Sequence, residues 1–171
     1  AEAAAAYRTR SAAGAKEAWG VFINPLTAQL LAQAGQSERF GGIVLKGFID
    51  EVDVKAQKQF AAYTAVLEHK QYCVVFRGTD DSLIGWKEDF LLTFTHPIAA
   101  QQAAADYVVQ AAAALRGTFF VAGHSKGGNL AVYAGAAVEK AIQKRIHTIF
   151  CYDGPGFHFD IQSNPHFQSI I

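Results

Sequence analysis

Gly123-His124-Ser125-Lys126-Gly127 constrains this chain more than any other stretch. It is a GxSxG pentapeptide set between a short apolar run, Phe119-Phe120-Val121-Ala122, and a helical pattern. The run reads as a buried strand. Beyond the serine, Leu130, Tyr133, Ala134, Ala137, Val138 and Ala141 recur at the spacing of one core-facing helix. A serine on so tight a strand-to-helix turn is pushed out above the sheet, and flanking glycines let neighbouring backbone approach without a Cβ clash. With 15 glycines and six serines in 171 residues, chance supplies about 0.05 such pentapeptides. The competing reading is a glycine-rich turn whose Ser125 merely caps the helix.

Composition narrows the classes of function. Fifteen basic and fifteen acidic side chains cancel, with no charge block, so neither nucleic acid nor an anionic membrane is implied as a partner. About half the residues are hydrophobic and 18% are charged, as in a soluble globular protein. No apolar run approaches the roughly 18 residues of a transmembrane helix. The length suits one domain with a proper core. Residues 1–20 read as an Ala-rich N-terminal arm or helix, and residues 21–171 as the folded domain. Cys73 and Cys151 lie in apolar runs and read as buried reduced thiols, with no Cys/His spacing of a zinc site. The thiols, and a start without a long apolar leader, favour a cytoplasmic location. The start also lacks an initiator Met, so the sequence reads as processed or excised.

Along the chain, a helix is expected from Asn24-Pro25 to about Ala34, and strands at Ile43–Ile49 and Phe60–Leu67. Glu68-His69-Lys70 turns into a buried strand, Tyr72–Phe76. A polar loop, Thr79–Ser82, precedes a mixed apolar segment over 83–94. An Ala-rich helix follows Pro97, with Val108, Ala112 and Leu115 on one face. After the serine strand and helix come a strand at Ile146–Tyr152, a sharp turn at Asp153-Gly154-Pro155-Gly156, and a short helix near Asn164-Pro165. From Tyr72 onward strands and helices alternate, which predicts a mostly parallel sheet in an α/β layered domain, with an antiparallel hairpin near its N-terminal edge.

A serine hydroxyl needs a base to take its proton as it attacks, and the oxyanion it creates needs preorganised donors. The elbow supplies one donor, the backbone N–H of Lys126. The second is expected from the loop after an earlier strand, where Phe76-Arg77-Gly78-Thr79 stands; the Thr79 N–H and hydroxyl are both candidates. Arg77 reads as half of an ion pair with Asp80, Asp81, Glu88 or Asp89.

Four motifs together resemble a bacterial group of α/β-hydrolases that is itself similar to the class 3 (fungal-type) lipases. They are Phe76-Arg77-Gly78-Thr79, Gly85-Trp86-Lys87-Glu88-Asp89-Phe90, Gly123-His124-Ser125-Lys126-Gly127-Gly128-Asn129-Leu130 and Asp153-Gly154-Pro155-Gly156-Phe157. The likeness covers roughly residues 22–171. It implies an α/β-hydrolase-like three-layer sandwich, with Ser125 as nucleophile and Thr79 as the oxyanion-loop residue. It also sets the Ser82–Phe94 segment where those lipases carry a lid. Leu83, Ile84, Trp86 and Phe90 would then cover an acyl pocket, making Trp86 and Phe90 substrate-binding residues. A surface helix packing the same side chains on the core is the alternative.

In the order Ser…Asp…His, the acid and base follow the serine. Asp153 ends the next strand and is the candidate acid, although a turn-forming role is the stronger reading of it. His158 is the candidate base, with His166 the other late histidine; neither stands where the family histidine would. A domain cut short after the strand that follows the serine helix, its base beyond residue 171, is the simplest account of the sequence. The expected activity is hydrolysis of a carboxylic ester, with an acyl or lipid-like small molecule as substrate, through an acyl-Ser125 intermediate. That chemistry requires no metal or organic cofactor. An acyltransferase, a thioesterase or a non-catalytic binding member of the fold are the rivals.

Overall fold

The computed structural model describes residues 26–80, 82–160 and 163–170. The expected arm at 1–20 and the start of the first helix at Asn24-Pro25 lie outside them. The chain divides into two compact units, Ala1–Val44 and Leu45–Ile171. In the first, helix α1 spans Leu26–Gln36. It is closed by Ser37, whose hydroxyl donates to the Ala34 carbonyl and accepts from the Phe40 N–H.

The second unit is an α/β structure on a five-stranded mixed sheet in the order β1-β2-β3-β4-β5. The strands are β1 (Val44–Asp53), β2 (Lys58–Val66), β3 (Gln71–Phe76), β4 (Thr118–His124) and β5 (Ile146–Tyr152). The expected hairpin forms: β2 and β3 run antiparallel, Ala62 opposite Phe76 and Val66 opposite Tyr72. β4 lies parallel to β3, and β5 parallel to β4. Between β3 and β4 come α2 (Leu83–Leu91) and α3 (Ala99–Ala114); between β4 and β5 come α4 (Lys126–Ala137) and the single turn α5 (Lys140–Gln143). A last turn, α6 (Pro165–Gln168), starts with the Asn164 side chain accepting from the His166 N–H.

The core lies where α3 and α4 pack against one sheet face. Val74 and Phe76 of β3 and Phe119 and Val121 of β4 point to that face, two residues apart as the pleat requires. They meet Ala104, Val108, Ala111 and Ala112 of α3, and Leu130, Ala131 and Ala134 of α4. The alanines bring these helices close to the sheet. Arg145, which the sequence reading passed over, binds the carbonyls of Ala112, Leu115 and Gly117 and stacks on Phe119. It thereby satisfies carbonyls that the end of α3 leaves open. Tyr107 of α3 ties in β1: its hydroxyl donates to the Gly47 carbonyl at 3.0 Å and pairs with Thr64.

Three expectations change. The helix after Ser125 does not run through Ala141. It stops where Val138 takes extended backbone (φ −73°, ψ 157°), and Val138 and Ile142 are buried across the break. Cys151 is exposed rather than buried. It shares no disulfide with Cys73, which faces the other side of the sheet: Cys73 pairs with Phe120, Cys151 with Gly123, and these partners are an odd number of residues apart. Finally, Leu83, Trp86 and Phe90 do not pack on the core. α2 turns them outward, 80%, 54% and 69% exposed, and buries Gly85 and Glu88 instead.

Candidate active site

The turn between β4 and α4 is a tight strand-to-helix elbow with Ser125 at its corner. Ser125 has φ 55° and ψ −131°, a conformation ordinarily reserved for glycine and costly for a residue with a side chain. Two glycines permit it. A Cβ on Gly123 would lie 2.1 Å from the Gly127 carbonyl oxygen, and one on Gly127 would lie 2.3 Å from that of Phe76. Backbone hydrogen bonds fix the turn from both sides. The Ser125 N–H donates to the Tyr152 carbonyl at 2.9 Å, and its carbonyl accepts from Gly128 at 2.8 Å and Asn129 at 3.3 Å. The side chain caps nothing, so the helix-capping reading fails. Half-buried, the hydroxyl has no hydrogen-bond partner among the described residues.

The loop after β3 abuts this turn. A Cβ on Gly78 would lie 2.8 Å from the His124 carbonyl oxygen and 3.4 Å from the Ser125 Cβ. Next to Gly78, the Thr79 N–H has no acceptor among the described residues, and neither does the N–H of Lys126, first in α4. The Thr79 hydroxyl is committed elsewhere, donating to the Asp89 carboxylate at 2.7 Å. Of the two donors weighed for Thr79, only the backbone N–H is therefore open.

Side chains around these loops form a buried polar network. The Lys126 ammonium, 1% exposed, donates to the Glu88 carboxylate at 2.6 Å and to the Gln59 backbone and side-chain oxygens at 2.8 and 2.7 Å. Glu88 also accepts from the N–H groups of Gln59 and Ala100. Glu88 and Asp89 are thus unavailable to Arg77, which instead forks onto Asp50 of β1 at 2.8 and 3.2 Å, with Asp80 at 3.6 Å. Across the elbow, buried Asn129 accepts from Gln101 and donates to the carbonyls of Pro155 and Gly156. It holds the turn after β5 against α4.

That turn carries Asp153, exposed and at φ 51°. No hydrogen bond joins it to a histidine among the described residues. His158 is exposed, and its ring meets those of His96 and Phe159, at 5.9 and 5.5 Å. His96 in turn sits 5.1 Å from Tyr133 of α4 and 4.5 Å from Phe159. Burial, and then the neighbouring His158, hold the His96 pKa below its ordinary value. His166 borders a cavity of about 250 Å³ with His96, Tyr133, Asn164 and Phe167. The structure brings neither His158 nor His166 into hydrogen bonding with Ser125. Trp86 and Phe90 line a surface groove of about 370 Å³ with Gln57, Leu83, Lys87 and Leu91; Ser125 and Thr79 do not border it. Among the described residues, no cluster of histidine, cysteine and acidic side chains is placed to hold a metal ion. No helix there is long and apolar enough to cross a membrane.

Fold and turn together define an α/β protein with a serine elbow on a mixed sheet. Residues 34–171 match the Mbeg1-like family model, and the chain belongs to that family. No curated protein and no solved structure matches it.

Proposed function

We propose that this chain is a serine hydrolase of the α/β-hydrolase type, similar to the class 3 lipases, cleaving a carboxylic ester of an acyl or lipid-like small molecule. The backbone of Ser125 carries this reading. A non-glycine residue is held at φ 55° and ψ −131°; among the described residues its hydroxyl has no partner and the two backbone N–H groups beside it have no acceptor. Strain of this kind persists where the surroundings over-determine it, and it clusters at functional sites. In the reaction, the Ser125 Oγ attacks the ester carbonyl carbon as a base takes its proton. The N–H groups of Thr79 and Lys126 donate to the oxyanion. The alcohol leaves with a proton, and water then releases the acid from acyl-Ser125.

Asp153 is the acid in this reading, and the exposed faces of Trp86 and Phe90 meet the acyl chain. A cytoplasmic site of action goes with the free thiols. A second reading, a binding protein on the same fold, is favoured by one observation: no described histidine hydrogen-bonds Ser125. An acyltransferase or thioesterase would share the elbow and differ only in the acceptor or leaving group.

Labelling with a serine-reactive fluorophosphonate, mapped by peptide mass spectrometry, tests the proposal on residues 1–171 and on the gene product as expressed. Adduct on Ser125 in both sets the base within these residues, with His158 and His166 the next targets. Adduct in the gene product alone sets the base outside them. No adduct in either refutes the hydrolase and leaves the binding protein.

A further inference from the structure

Helix α2 grips both loops that flank the serine, through consecutive carboxylates with different partners. Asp89 takes the Thr79 hydroxyl, and Glu88 takes the Lys126 ammonium. Glu88 is fully buried, and its other hydrogen bonds reach Gln59 of β2 and Ala100 of α3. All three hydrogens of the ammonium have acceptors: Glu88 and the two Gln59 oxygens.

An ion pair this dry is a poor way to gain stability. Taking both charges out of water costs about as much as their attraction returns, and apolar residues of similar size often serve as well. What it adds is direction. Three hydrogen bonds of fixed geometry tie the first residue of α4 to β2 and α2, and that residue's N–H is one of the two open donors beside Ser125. An apolar side chain would fill the same space without fixing an angle.

We infer that the Lys126–Glu88 pair is a positioning device for the reaction. It sets the Lys126 N–H where the oxyanion forms, and it holds α2 as a fixed wall beside the site rather than a lid that swings. This rests on the serine-hydrolase reading. Under it, Lys126 has two separable roles: its N–H contacts the reacting oxygen, and its side chain acts only through that placement.

The test compares the full-length wild type with K126M/E88L, which removes both charges together, and with the harsher E88Q, which keeps hydrogen-bonding capacity at Glu88 but leaves the buried ammonium without its counter-charge. The readouts are the thermal midpoint, amide exchange at Gly128 and Asn129, which bond the Ser125 carbonyl, the rate of Ser125 phosphonylation, and kcat and KM on a short-chain p-nitrophenyl ester. The folded variants are expected to exchange these amides faster, and to lose about tenfold in labelling rate and kcat with KM little changed. That split separates positioning from a loss of folded protein. A folded variant that labels and turns over as fast as wild type overturns the inference. Should E88Q fail to fold around its unpaired ammonium, K126M/E88L decides by the same readouts. A wild type that gives no Ser125 adduct removes the hydrolase reading, and this inference with it.

Discussion

Gly78→Ala is the sharpest perturbation of the site, because it adds one methyl group and strains no dihedral. The new Cβ would lie 2.8 Å from the His124 carbonyl oxygen, whereas carbon and oxygen approach no closer than about 3.3 Å in comfort. The loop carrying Thr79 and the elbow carrying Ser125 must therefore part by about 0.5 Å. Neither can give alone: the elbow is bonded to Tyr152 and Gly128, and the Thr79 loop to Asp89. Overpacking of this size costs about 1 kcal/mol, the lower end of its range, since the loop is only half-buried. Activity should fall further. A misplacement of 1 Å can cost about a hundredfold, so half that distance between the oxyanion donors and the nucleophile predicts about tenfold. Urea denaturation and initial rates of Ser125-dependent ester hydrolysis, on one preparation, read both effects. Gly156→Ala is the control, because a Cβ there meets nothing within 4 Å. A Gly78→Ala protein within about twofold of that control in rate would refute the claim that these loops form one site.

Other substitutions probe separate parts of the structure. Ser125→Ala should abolish turnover with the melting temperature nearly unchanged. Ser125→Gly should abolish it while adding about 1 kcal/mol of stability by relieving the strained φ, read as a higher urea midpoint. Replacing Trp86 and Phe90 with serine should lower kcat/KM for long-chain esters roughly tenfold more than for short ones; equal losses would sever α2 from acyl recognition. His96→Phe tests the ring cluster by pH. The folded pKa of His96 is lowered, so below about 6.5 the unfolded chain binds the proton more readily. Stability present above that value is lost as pH falls through the folded pKa. His96→Phe should flatten that acid limb in denaturation curves, and an unchanged slope would show the cluster does not carry it.

The elbow was legible because glycine and serine at that spacing, between a strand and a helix, have few other uses. The β2–β3 hairpin and the parallel β3–β4–β5 order were legible from buried runs and alternation. Helix α2 was not, because its amphipathicity is inverted. Leu83, Trp86 and Phe90 face outward while Gly85 and Glu88 face the core, so apolar periodicity points to the wrong side. Lys126 read as a backbone donor at a helix start. Yet it lies four residues before Leu130 on the core-facing stripe of α4, a signal that its ammonium would need a buried acid. Which acid, the sequence could not say, because Glu88 comes from a distant segment and its own helix gives no cue. Arg77 was legible in part: it does reach Asp80, one of the acids beside it in sequence, but its forked partner is Asp50 of β1, which only the topology brings near.

The buried ammonium also constrains how this sequence can drift. Losing Glu88 alone strands a cation in the core, and losing Lys126 alone strands an anion, each costing about 3–5 kcal/mol, a large part of a small domain's stability. Either residue is therefore nearly frozen while its partner stands, and the two change only in concert. Relatives with an uncharged residue after the serine should carry an uncharged one at the position of Glu88, and a chain that broke this rule would have had to rebuild the contact between α2 and α4.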